Sequence, residues 1–126
     1  MSASVNILPA LRKKGPLAVL LAYSVFILWA SLKESGDSVS IKHFDKVLHL
    51  AVYGLLAAIA YWVWPKVHKW KIWLGAALYG GLIELCQGLF TQGRTPSIAD
   101  GLANAGGAAI VLLLCHYWLS RRLAKA

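Results

Sequence analysis

The stretch IWLGAALYGGLIELCQGLF, residues 72–90, decides the fold. It is close to the ~20 residues a helix needs to cross a ~30 Å hydrocarbon core, and it contains one acidic or basic side chain, Glu84, with Gln87 three residues on. Three more apolar stretches accompany it, at 16–32, 47–64 and 98–119, so that the four hold 17 to 22 residues each. The connections between them are too short for a soluble domain. The expectation is an all-α membrane protein, a compact bundle of four transmembrane helices forming one domain over residues 1–126.

Composition agrees. The chain is 59% hydrophobic and 14% charged, against about 25% charged in soluble domains. The net charge of +8 is an orientation signal rather than a nucleic-acid footprint, because it is one-sided. Arg12, Lys13, Lys14, Lys66, Lys69, Lys71, Arg121, Arg122 and Lys125 fall at one end of the bundle with no acidic residue among them. The opposite end sets Lys33, Lys42, Lys46 and Arg94 against Glu34, Asp37 and Asp45. The positive-inside rule places the first end, with both termini, in the cytoplasm. Trp62, Trp64, Trp70, Trp73 and Trp118 are expected at that interface and Trp29 at the other.

The first apolar run exceeds the 7–15 residues usual for a signal-peptide core and lacks a small-x-small cleavage site, so it reads as a retained helix, with Pro16 suited to its first position. Cys86 and Cys115 lie towards opposite ends of neighbouring spans, on the order of 20 Å apart, and cannot pair. Ser35, Gly36, Asp37, Ser38 and Ser40 break the first connection, Pro65 the second, and Gly93 and Pro96 the third. Ser97 is placed to cap the fourth helix, with Asp100 in its first turn.

The polar residues of the spans are in phase. Asp45, His49 and Tyr53 are spaced i, i+4, i+8; Glu84 and Gln87 i, i+3; Asp100 and Asn104 i, i+4. Each set therefore shares a helix face. Tyr53, Glu84 and Asn104 fall roughly 9 Å below the outer end of their helices, with His49, Gln87 and Asp100 above them. Arg94 caps both layers from the loop. Deeper on the same faces come Ala57, Ala60, Gly80, Ala76, Gly107 and Ala108, small residues that let backbones approach. The expectation is a pocket open to the outside with a closed floor, with Gly88 leaving space at its mouth and the first helix as an outer buttress.

The order Asp45-Lys46-Val47-Leu48-His49 with Tyr53, then Glu84-x-x-Gln87, then Arg94-x-x-Ser97-x-x-Asp100-x-x-x-Asn104-x-x-Gly107, resembles the VanZ-like family. The resemblance spans roughly residues 40–110, and Leu50 stands where many members carry an aromatic residue. It implies a small multi-pass protein of the bacterial cytoplasmic membrane, in a family named for a member linked to teicoplanin resistance. It implies no defined biochemical activity.

Each polar residue has a sharper and a blander reading. His49 with Asp45 is either a general base with its orienting carboxylate or an ion pair at a helix start. Glu84 is either an acid–base group, its charged form disfavoured by depth unless a cation offsets it, or a hydrogen-bonding strut to Asn104 or Gln87. Arg94 either grips a phosphate or carboxylate in two-point fashion or pairs with Asp100 or Glu84. The candidate catalytic set is thus His49, Glu84, Asp45 and Asp100, and the candidate binding set Arg94, Gln87, Asn104 and Tyr53. The carboxylates permit a divalent cation with oxygen ligands, but their spacing specifies no metal, and no cofactor is expected. Cys86 reads as packing, and His43, His68 and His116 as incidental. The favoured function is binding of, or chemistry on, a phosphate-bearing or lipid-linked envelope molecule at the outer leaflet. The alternative is a structural module whose polar cluster locks the helices. A proton or ion pathway is disfavoured, because no ionisable residue continues through the inner half of the spans.

Overall fold

The computed structural model describes residues 8–33, 44–93 and 95–126, with side chains from Lys14 onward. The connection 34–43, with His43, and the loop residue Arg94 lie outside the described residues. Four helices follow one another, α1 Leu8–Leu32, α2 Phe44–Val63, α3 Lys69–Phe90 and α4 Ile98–Ala124, and all four are long and apolar enough to cross a membrane. The chain is an all-helical, four-span membrane protein.

The helices overrun the apolar stretches at their ends. α1 starts at Leu8, so Pro16 lies inside it and not at its first position. Proline removes one backbone donor, which leaves the carbonyl four residues earlier without its usual partner. At Arg12, that carbonyl is near the basic end of the helix, where water or a neighbour can satisfy it. α2 ends where Pro65 forbids continuation, and the chain turns there with the Val67 amide donating to the Trp64 carbonyl at 3.1 Å. Gly93 adopts φ +81°, the left-handed turn that glycine makes without strain.

Burial is inverted relative to a soluble bundle. On α3 the buried residues are Ile72, Ala76, Gly80, Ile83, Glu84 and Gln87, spaced as one helix face. Leu78, Leu82, Leu85 and Leu89 cover the opposite face and are exposed. Leucines turned out and small or polar residues turned in are what lipid as solvent produces, since lipid tails are as apolar as Leu.

α2 and α4 form the tightest pair. A Cβ on Gly107 would stand 2.2 Å from the Leu50 carbonyl oxygen, and one on Gly54 would stand 2.7 Å from Val111 Cγ2. The two backbones therefore touch where both helices carry glycine. Ala57 and Ala108 are fully buried beside them. α1 packs on the other side of α2 and on α3, joined by hydroxyls: Tyr23 donates to the Val52 carbonyl at 2.9 Å and Tyr79 to the Ser24 carbonyl. At the basic end, cations stack on rings, Lys69 over Tyr61, Arg121 over Tyr117 and Arg122 over Trp118, at 5.2, 4.9 and 4.6 Å from the ring centroids, an interfacial arrangement. Trp73 departs from that belt. Its indole N–H reaches along the bundle to the Ala105 carbonyl at 2.9 Å.

Candidate functional site

Phase and depth bring most of the polar residues of α2, α3 and α4 together. His49 Nδ1 is 2.8 Å from Asn104 Oδ1; since that oxygen only accepts, Nδ1 donates, which in the neutral ring leaves the lone pair on Nε2. Nε2 faces Asp45 Oδ1 at 3.8 Å, too long for a hydrogen bond, so Asp45 acts on the ring through its field. One turn up the same face, the Lys46 ammonium donates to Asp100 Oδ1 at 2.9 Å. Asp100 thus pairs with lysine on α2.

Glu84 is buried and bonds neither Asn104 nor Gln87 among the described residues. Its Oε2 accepts the Ser97 backbone N–H at 3.1 Å. Ser97 caps α4 as the spacing implied, its Oγ accepting the Asp100 amide at 3.2 Å. The carboxyl therefore abuts the amino end of α4, where backbone donors favour negative charge. Gln87 turns the other way and donates through Nε2 to the Ser31 carbonyl of α1 at 2.9 Å.

The single pocket expected from the sequence divides in two. A cavity of about 260 Å³ opens between α1, α2 and α3. Asp45, His49, Gln87 and Ser31 give it polar atoms, while Phe26, Ile27 and Val52 line its apolar wall. α1 is thus a wall of the cavity, not only a buttress outside it. Tyr53, Glu84 and Asn104 lie behind His49 as a buried layer without lining the cavity. Among the described residues, three of its polar atoms have no hydrogen-bond partner: Tyr53 Oη, Glu84 Oε1 and Asn104 Nδ2. Two of these side chains meet over Gly80, where a Cβ would stand 2.9 Å from Asn104 Nδ2 and 3.0 Å from Tyr53 Cε1. Gly88 leaves no space at the mouth, because Pro96 Cγ fills the position of its missing side chain at 2.7 Å.

Asp45, His49 and Asp100 offer ligand atoms within 4.8 Å of one another, which is where a cation could be held. The Lys46 ammonium already neutralises Asp100 there. Lys46 is the member of the cluster that sequence reasoning left out of the site. Its signal was present, because Lys46, His49 and Tyr53 at i, i+3, i+7 share a face. Cys86 and Cys115 are both free thiols.

The VanZ/LLP1 family model matches residues 7–120. An uncharacterized protein of Schizosaccharomyces pombe is 31% identical over 120 residues, covering 92% of this chain and 71% of the relative. No solved structure matches the chain.

Proposed function

The chain belongs to the VanZ/LLP1 family, and from that premise we propose that it binds the polar head of a phosphate-bearing or lipid-linked membrane molecule in the cavity between α1, α2 and α3. One observation carries the reading. His49, its ring oriented by Asn104 and flanked by Asp45, lines a cavity with Gln87 and Ser31 at its polar side and Phe26, Ile27 and Val52 at an apolar one. An amphiphile needs such a site: a wet, hydrogen-bonding end continuous with a dry one. Nε2 is the proton acceptor presented to the bound head, and Gln87 and Ser31 orient it. Arg94, whose place rests on sequence alone, supplies the anion clamp from the third connection. Glu84 and Asp100 support the amino end of α4 behind the site.

The polar end faces outward and the basic end the cytoplasm, following the charge bias; in a bacterial host the membrane is the cytoplasmic one. A relative in a fission yeast favours a ligand class common to bacterial and fungal membranes, and phosphate-bearing lipids are one. After Cys86 and Cys115 are replaced, single cysteines at Gln92 and Lys69 test the orientation. The first should label from outside intact cells and the second should not.

Paired lipids that differ only in the phosphate test the site. Phosphatidic acid should raise the melting temperature of the purified protein in detergent, and diacylglycerol with the same chains should not. Measured in a Lys71→Gln background, which removes the cation at the basic end of the bundle, His49→Gln and Arg94→Lys should each abolish that rise. They should also abolish any teicoplanin tolerance the chain confers on a susceptible bacterium, at normal membrane levels of the protein. A rise retained in both variants would reject the site.

A structural module is the second reading, favoured by the Lys46–Asp100 and His49–Asn104 bonds that fasten α2 to α4. It expects lower melting in the same variants with tolerance intact.

A further inference from the structure

We propose that the apolar groove at the basic end of the bundle holds one acyl chain of an anionic phospholipid, with its phosphate at Lys71 beside the start of α3. This second site lies at the other end of the molecule from the His49 cavity and does not depend on it.

The groove has a volume of about 350 Å³ between α1, α2 and α3, within the size range of small-molecule sites. Leu20 and Leu21 of α1, Leu56 and Ala60 of α2, and Ala76 of α3 wall it. Towards the membrane centre it reaches Ser24 and Tyr79, whose hydrogen bond ties α1 to α3. At the opposite end stand Trp64, Val67 and Lys71. It is therefore an apolar slot with one cation at the interfacial end, the shape and polarity of an acyl chain and its phosphate.

Charge complementarity selects the headgroup. Lys66, Lys69 and Lys71 lie within six residues, and no Asp or Glu occurs from Val47 to Ile83. Among the described residues no carboxylate pairs with Lys71; its ammonium lies 5.5 Å from the Trp70 ring centroid. The start of α3 adds to this field, since no side chain caps it and no acid occupies its first turn. The Lys71 amide donates to the His68 carbonyl at 2.9 Å, and among the described residues the Lys69 and Trp70 amides have no backbone acceptor, so these two remain for an anion. The quaternary ammonium of a choline lipid would meet the same lysines with like charge. Basic crevices between helices at this level suit anionic headgroups.

Gly75 provides a clean probe. It lines the groove, and a Cβ there would meet nothing within 4 Å. A leucine at this position starts its side chain in open space at the groove that the acyl chain would fill.

Native mass spectrometry of the full chain, delipidated and then offered phosphatidylglycerol or phosphatidylcholine of identical chains, tests the proposal. Phosphatidylglycerol should be retained at least about five-fold better, the effect of one lysine near an anionic lipid. Lys71→Gln should remove about that preference, and Gly75→Leu should reduce retention of both lipids while circular dichroism stays unchanged. His49→Gln should leave all of this intact, so failure at the other cavity is read separately. Equal retention of the two lipids by the wild-type chain would overturn the proposal without recourse to any variant. Undiminished retention in Gly75→Leu, or a dimer that excludes lipid from this seam, would overturn it as well.

Discussion

The two sides of α2 are built on different principles. Towards α4 it presents Gly54 and, over the two turns nearer the polar end, the Lys46–His49–Tyr53 face, and the partner backbone comes within van der Waals contact. Towards α1 it presents Leu48, Val52, Leu56 and Ala60, and cavities of about 260 and 350 Å³ separate the helices above and below a waist of two tyrosine hydroxyl bonds. Close approach requires a missing side chain where the helices cross, as at Gly107 against the Leu50 backbone, and that leaves no room for a ligand. Large side chains on a crossing helix hold backbones apart and leave gaps at the ends of the seam. α2–α4 is thus the frame that fixes His49, and α1–α2–α3 the side on which something can bind.

The largest expected effect tests the frame. Gly107→Ala places a methyl group against the Leu50 carbonyl, a backbone atom that cannot yield without moving a helix. It should cost about 3 kcal/mol or more, seen as loss of folded protein in detergent. A variant melting like wild type would mean that α2 and α4 do not touch there.

Asn104→Leu comes next. It removes the oxygen that orients His49 and buries an apolar branch against Tyr53, at an expected cost of about 1–3 kcal/mol. Ligand-induced stabilisation should vanish with it, since the imidazole is then free to rotate.

Crossing to the other side, Gln87→Leu deletes the bond to the Ser31 carbonyl. Bonds of this kind average about 0.6 kcal/mol in membrane bundles, so melting should barely move, whereas disulfide trapping between cysteines placed on α1 and α3 should become less specific. A large loss of stability would erase the distinction between frame and wall.

Gly75→Ala should change stability by less than about 0.5 kcal/mol, because nothing stands near its Cβ position. Set beside Gly107→Ala, the same chemical change measured twice gives the comparison its sharpest form.

Sequence by itself determined the number of spans, their polar faces and the cap on α4. Each of these rests on local physics: hydropathy over about 20 residues, the 3.6-residue period, and Ser97 three residues before Asp100. Helix ends were less legible. The turns from Leu8 to Gly15 and from Ser120 to Ala124 are helical without being continuously apolar, so hydropathy stopped short of them. Only the tertiary structure decided which polar group meets which. Lys46 took Asp100, Glu84 took the Ser97 amide, Gln87 turned to α1, and Pro96 closed the space beside Gly88. Depth and phase left several partners within reach of each group, and a hydrogen bond discriminates over a few tenths of an ångström. Helix rotation and crossing set distances on that scale, and both follow from how close the glycines of α2 and α4 let two backbones come.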